Sequence, residues 1–331
     1  MTNQVNKVLV LGATGGTGTV IIAELLKRGI ETVAFGRSLP KLKQLAARLG
    51  NPAGLSLKAG DVFSADDVFA AGQGADVIVH SASVPYNEMT TRLLPMGEAV
   101  MEAADRLAAK VVAVDGIYPY GRRKDEQPIS EDFPKNPHTK KGKIKLEFER
   151  MFFSPRWNRS KGMIVRLPDY YGPTANDASY LGTTFEAIAA GKLAMFIGNM
   201  TVPREYVYLP DAAVMIVELA LREEAYGQNW NIPGAGTISG KDIVRLARAA
   251  SGKSGPVLPV GAFGLSLLGL FIPVMKEIVE MLYLTKEPLR LSGRKYERFA
   301  GPIPATSFED GIRETISAIQ SRQAKMPERR L

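Results

Sequence analysis

KVLVLGATGGTG, Lys7 to Gly18, is the stretch on which the fold turns. A short apolar run ending in glycines has the character of a buried parallel strand. The next segment, GTVIIAELLKRG (18–29), carries apolar residues at helical spacing and closes on Gly29. A glycine triplet alone says little, but this one has a strand before it and a helix after it. In that context Gly12 permits a tight turn, Gly15 lets the backbone approach a pyrophosphate, and Gly18 lets the helix pack closely on the strand. Thr14, Gly16 and Thr17 complete a loop whose reading is nucleotide binding.

The alternation continues outward. ETVAFGRS (31–38), LSLKAGDV (55–62), ADVIVHSAS (75–83) and KVVAVDGIYPYG (110–121) read as strands. PKLKQLAARLG (40–50), SADDVFAAGQG (64–74) and PMGEAVMEAADRLAAK (95–110) read as the helices between them. Strands separated by helices of this length predict an α/β fold, a Rossmann doubly wound parallel sheet with helices on both faces. We expect a dinucleotide-binding domain over 1–171, to which the chain returns at about 206–235. Residues 172–205 and 236–331 are expected to form a smaller, mainly helical C-terminal substrate domain.

Composition narrows the classes. The chain has 331 residues, 45% hydrophobic and 23% charged, enough for a sizeable core. Lacking cysteine, it has no disulfide, no thiolate nucleophile and no Cys-ligated zinc, and two histidines (His80, His138) are too few for a His-rich metal site. The net charge of +8 suits an anionic partner, yet acids are interspersed throughout, so a phosphorylated small molecule is expected rather than nucleic acid. The N-terminus, MTNQVNKVLV, shows no signal peptide, and a cytoplasmic protein is expected, with a homodimer left open. One stretch resists: VLPVGAFGLSLLGLFIPVM (257–275) runs 19 residues without a charge. Pro259, Pro273 and three glycines interrupt it, so we expect a buried helical excursion capping a pocket, ahead of peripheral membrane contact and of a true span.

The end of the second strand refines the nucleotide. NAD sites usually place an acid there for the ribose 2′-hydroxyl. Here stand Arg37 and Ser38, with Lys41 a turn on. Arginine can grip a 2′-phosphate through a charge-assisted fork, so NADP is expected ahead of NAD.

These residues together resemble the short-chain dehydrogenase/reductase superfamily, in its extended, epimerase/dehydratase-like branch. The glycine spacing matches, as do AGDV with Asp61, VDGIYPYG, PISEDFPKNP, KLEFE and IVRLPDYYGP. PREYVYLPDAAVMIVELAL and WNIPGAGTISGKDIVRLA resemble that branch's later elements, so the likeness spans residues 5–320. It implies further cofactor contacts at Asp61, Val62, Ser81, Ala82 and Pro168. Members generally carry Tyr-x-x-x-Lys after the fifth strand and a Ser or Thr at that strand's end. The likeness puts Lys145 on the family's lysine, which binds the nicotinamide ribose. Lys141 stands where the tyrosine belongs, and Gly116 stands at the Ser/Thr position, beside Asp115.

HTKKGKIKLEFERM (138–151) therefore opens a helix with cations where acids are favoured by about 0.3–1 kcal/mol each. Gly142 adds a further cost of about 1 kcal/mol. The crowding is tolerable if this end faces cofactor and substrate, with Lys141 a candidate acid or base. Tyr118 is the alternative proton donor, sharing a side with Tyr120 if the strand continues, and Asp115 is a candidate base. Tyr120 is most simply the structural tyrosine of the family's Tyr-Gly pair. Tyr180, Phe185, Phe196, Phe263, Phe271, Met275 and Tyr283 give the expected substrate lining an apolar character. The function expected is an NADP-dependent oxidoreductase reducing a carbonyl or activated double bond of a hydrophobic small molecule. The alternatives are a non-catalytic NADP sensor and a sugar-nucleotide epimerase or dehydratase.

Overall fold

The structure is a computed structural model and describes residues 4–123, 127–175 and 179–325. Its strands are β1 (Lys7–Leu11), β2 (Glu31–Gly36), β3 (Leu55–Ala59), β4 (Val77–His80), β5 (Lys110–Gly116), β6 (Gly162–Leu167), β7 (Asp169–Tyr171), β8 (Ala194–Ile197), β9 (Arg204–Tyr208), β10 (Asn229–Asn231), β11 (Thr237–Ile238) and β12 (Val257–Val260). Its helices are α1 (Gly16–Lys27), α2 (Leu39–Arg48), α3 (Ala65–Ala71), α4 (Met89–Leu107), α5 (Lys140–Phe152), α6 (Tyr180–Ala190), α7 (Leu209–Ala220), α8 (Gly240–Ser251), α9 (Ala262–Leu268), α10 (Pro273–Val279), α11 (Arg294–Ala300) and α12 (Phe308–Lys325).

Seven strands form one parallel sheet in the order β3-β2-β1-β4-β5-β6-β10. β4 is buried throughout and β1 nearly so, as their apolar runs require in a sheet covered on both faces. One core packs α1, α2 and α7 against the sheet, and the other packs α3, α4 and α5 against its opposite face. This is the doubly wound Rossmann-like arrangement. The strand order reverses between β1 and β4, which opens a crevice at their carboxyl ends, where such sheets bind ligands. The mainly helical C-terminal part has its own core beneath α6, α8 and α12, with the small sheets β7-β9-β11 and β8-β12.

Three local expectations are corrected. The fifth strand stops at Gly116, and Tyr118–Tyr120 form a single 3₁₀ turn. With three residues per turn, positions two apart diverge, so Tyr118 and Tyr120 do not share a side. The fourth helix starts at Met89 rather than Pro95, because Met89 and Leu93, one turn apart, are buried and carry its apolar face ahead of the proline. The uncharged 257–275 stretch divides into β12, α9 and the start of α10, and among the described residues no helix is long and apolar enough to cross a membrane.

The unfavourable start of α5 has a local explanation. Thr139 caps it, its hydroxyl accepting from the Gly142 amide at 3.0 Å. The acid that the helix lacks arrives from elsewhere in the chain: Glu280 accepts from the Lys141 amide at 3.2 Å. Gly142 is required by close approach. A Cβ there would lie 2.6 Å from Pro137 Cβ and 2.8 Å from the Tyr118 carbonyl oxygen. Gly142→Ala should therefore destabilise the protein by about 1–3 kcal/mol, although alanine favours a helix by roughly 1 kcal/mol. Urea unfolding checks this, and an unchanged or raised midpoint would contradict the packing argument.

Candidate active site at the carboxyl edge of the sheet

The glycine turn is built as a cradle. Gly12 adopts φ +76°, and a Cβ on it would sit 2.6 Å from the Ala82 amide nitrogen. A Cβ on Gly18 would come within 2.4 Å of the Gly12 carbonyl oxygen. Gly15 stands at the N-cap of α1, where no side chain caps the helix and no acid occupies the first turn. The amides at that end are thus left to an anion. Thr14, Gly16 and Thr17 belong to the same turn, and Thr174 donates to the Gly16 carbonyl at 2.9 Å, closing its far side.

The remaining cofactor candidates lie at neighbouring strand ends. Arg37, exposed, and Ser38 follow β2, and Ser38 also caps α2 by accepting from the Lys41 amide at 3.4 Å. Asp61 and Val62 follow β3, with Asp61 accepting from the Phe63 amide at 3.1 Å. Ser81 and Ala82 follow β4, and Ser81 donates to the Leu11 carbonyl at 2.7 Å, tying the ends of β1 and β4 together. Pro168 is buried immediately past β6. A cradle that excludes side chains, beside an uncapped helix end, fits a dinucleotide pyrophosphate.

Beyond the cradle lies a buried chain of charge. Asp115, at the end of β5, pairs with Lys145 through one oxygen and with Arg166 through the other, the latter at 2.7 Å. Arg166, wholly buried, also pairs with Glu149, which binds Lys135 and accepts from Asn229 at 2.9 Å. Burial by itself would raise the Asp115 pKa, but Lys145 and Arg166 overcome it and hold the carboxyl below its ordinary range. Asp115 therefore anchors Lys145 as a carboxylate, an arrangement opposed to its candidate role as a free base. His80 ends β4 nearby and is brought down to about 4, first by burial and then by the Lys145 charge.

Lys141 takes a different set of partners. It is 1% exposed, and its ammonium meets Glu277 at 2.6 Å and Glu280 at 3.0 Å while lying 5.6 Å from the Tyr86 ring centre. The Tyr86 hydroxyl joins that of Tyr118 and lies 3.3 Å from that of Tyr180. Burial, and then the neighbouring phenols and Asp169, push the Tyr118 and Tyr180 hydroxyls well above their usual range, so both stay protonated at neutral pH. Asp169 is 3.6 Å from the buried Arg204, and burial raises its carboxyl against that cation. Tyr120 points away and donates to Asn231 at 2.9 Å.

Sequence reasoning missed Tyr86, Asp169, Arg166, Glu277 and Glu280. Tyr86 was within reach, since it follows the end of β4 as Tyr118 follows β5. The apolar lining is corrected: Phe185 and Phe196 are closed into a core, Phe263 faces outward because Leu265 takes the inward position of α9, and Phe271, past the end of that helix, is exposed too.

Residues 8–232 match the NAD dependent epimerase/dehydratase family, and the chain belongs to that family. Among its relatives, dTDP-6-deoxy-L-talose 4-dehydrogenase (NAD(P)(+)) of Kitasatospora kifunensis is 24% identical over 262 residues, covering 74% of this chain and 79% of that one. UDP-glucuronic acid 4-epimerase from Bacillus cereus, solved with NAD, superposes with a TM-score of 0.77 at 20% identity over 96% of this chain and 99% of that one. dTDP-glucose 4,6-dehydratase from Streptomyces venezuelae, solved with NAD and TYD bound, gives a TM-score of 0.78 at 18% identity over 96% and 98%. These likenesses agree with the observed fold.

The depressed His80 pKa makes stability depend on pH. Between 6.5 and about 4 the unfolded chain binds this proton and the folded one does not, so stability is lost as pH falls through that window. The loss attributable to His80 is about 3 kcal/mol. Glu205, raised to about 7 by burial, acts with the opposite sign, so the wild-type slope mixes the two. Urea unfolding of His80→Gln should show that acid loss reduced relative to wild type; an identical pH dependence would contradict the assignment.

Proposed function

We propose that the chain is an NAD(P)-dependent enzyme that transfers hydride at a hydroxyl-bearing carbon of a nucleotide-linked sugar. The observation that carries this is the dinucleotide cradle sharing one sheet edge with Lys145 and the hydroxyls of Tyr86, Tyr118 and Tyr180. The relatives with nucleotide-sugar names favour this substrate class over the hydrophobic carbonyl expected from sequence. So does the outward position of Phe263 and Phe271, which removes much of the apolar lining behind that expectation. Arg204 is a buried cation on β9, beside Tyr206, of the kind a diphosphate needs.

When bound, the nicotinamide supplies the hydride acceptor or donor. Lys145, steered by Asp115, would hold the adjoining ribose by hydrogen bonds. Tyr118 replaces the family's tyrosine: kept protonated by its buried setting, it donates its hydroxyl proton to the substrate oxygen in the reducing direction. Tyr86 and Tyr180 orient that hydroxyl, and Lys141 with its two glutamates forms the neighbouring wall. A Cβ on Gly116 would meet nothing within 4 Å, so the place of the family's Ser or Thr is open, which favours an enzyme over a filled, non-catalytic sensor. Arg37 supports a preference for NADP, since no acid stands there to repel a 2′-phosphate.

The test is reduced-nicotinamide absorbance across a panel of UDP- and dTDP-linked sugars and their keto forms, with both dinucleotides. Turnover is expected with at least one, faster with NADP. Tyr118→Phe should lower it by about 10²–10⁴-fold while leaving dinucleotide affinity unchanged. If Lys141→Ala abolishes turnover and Tyr118→Phe does not, the lysine carries the proton. No turnover with any nucleotide sugar overturns the substrate class.

A further inference from the structure

The segment that sequence reading placed over a pocket instead presents an apolar surface. Phe263, Leu270 and Phe271 are 85%, 75% and 83% exposed, and Leu267 and Ile272 are exposed with them. Phe263, Leu267 and Leu270 stand at i, i+4 and i+7, one face of α9 and the turn that continues it. Leu265, on the other side, is buried with Ile278 and Leu282 and fixes the α9–α10 hairpin to the body. Met195 on β8 and Leu258 on β12 are register partners and are also exposed. Isolated exposed leucines need no account, but a cluster with two nearly bare phenylalanines at a hairpin tip does.

The exposed charges nearest to it are mostly basic. Residues 187–204 and 243–276, which contain β8, β12, α9 and the start of α10, carry only basic charges, although Arg204 among them is buried, Arg245 is paired with Asp242, and Glu186, Glu205 and Asp242 adjoin these runs. Lys192 and Lys253 are exposed just ahead of β8 and β12, and Lys276 is exposed beside Gly269 in the hairpin turn. Glu277 and Glu280, which follow Lys276, are engaged by Lys141. Between 257 and 275 Ser266 is the only polar side chain, whereas protein interfaces carry about one hydrogen bond per 100–200 Å². A symmetric pairing of two copies would bring this cationic rim against itself.

We propose that the α9–α10 hairpin docks the protein on an anionic lipid surface, its phenylalanines and leucines entering the headgroup–acyl boundary and its lysines meeting the headgroups. Such elements lie in the interface at a depth of about 5–10 Å and do not span the bilayer. The proposal favours the peripheral membrane contact that the sequence ranked behind a buried excursion, and it is independent of the reaction the site performs. Docking would also set against the bilayer the element that holds Glu277 and Glu280 on Lys141, next to the tyrosine cluster.

The test is co-sedimentation of the whole chain with vesicles of phosphatidylcholine alone and of phosphatidylcholine with equimolar phosphatidylglycerol. Phe263→Glu/Phe271→Glu serves as the variant, since both side chains are exposed; circular dichroism checks its fold and ultracentrifugation the association state of both proteins. The wild type should pellet with the anionic vesicles, less with neutral ones and less at high salt. The folded variant should partition more weakly by at least about tenfold. A wild type that stays in the supernatant with anionic vesicles overturns the proposal, as does equal binding by the folded variant. A wild-type dimer that the variant dissolves, without vesicle binding, assigns the surface to a second copy instead.

Discussion

Asp115 is a buried carboxylate shared by two cations, and the rest of the site depends on how that sharing is arranged. Arg166 reaches it from β6 in the same row of the sheet, and Lys145 reaches it from α5. Isolated, each of these charges would be expensive to bury; removing one partner of such a group typically costs about 3–5 kcal/mol. Together with Glu149 and Lys135 they form a continuous alternation of sign through the carboxyl edge of β5 and β6. The alternation fixes α5 against the sheet, and so fixes where Lys145 stands relative to the glycine turn.

A second interaction sets the other end of α5. Lys141 could not be buried at a helix start without opposite charge, and Glu277 and Glu280 provide it from a hairpin well over a hundred residues away in sequence. One helix therefore joins the dinucleotide half of the molecule to the element carrying its most exposed apolar residues. The tyrosine cluster lies beside Lys141, through Tyr86, rather than along α5 itself.

What was legible in the sequence follows from range. Gly12, Gly15 and Gly18 specify their turn through neighbours within a few residues, and alternating apolar strands and helices imply a parallel sheet by connection rules alone. The family likeness brought Lys145 into view and, through the vacant Ser/Thr position at Gly116, its neighbour Asp115; the packing of α5 that joins the two was not legible. The partnership of Tyr86 with Tyr118 spans 32 positions and rests on β4 and β5 being neighbours, which the strand pattern leaves unstated. Treating 110–121 as one continuous strand hid the 3₁₀ turn that sends Tyr118 and Tyr120 apart. The outward choice for Phe263 was equally invisible, because α9 is apolar but for Ser266 and only packing selects Leu265.

The proposed site couples the glycine cradle to an Asp115-steered Lys145 in a dinucleotide site facing the three tyrosines. A crystal structure of the protein grown with NADP tests it most directly. The pyrophosphate is expected over the amides at the start of α1, the nicotinamide ribose hydrogen-bonded to Lys145 Nζ with Asp115 still in contact, and the nicotinamide ring facing Tyr118. A dinucleotide bound elsewhere, or one bound in the cradle with its ribose out of reach of Lys145, would contradict it.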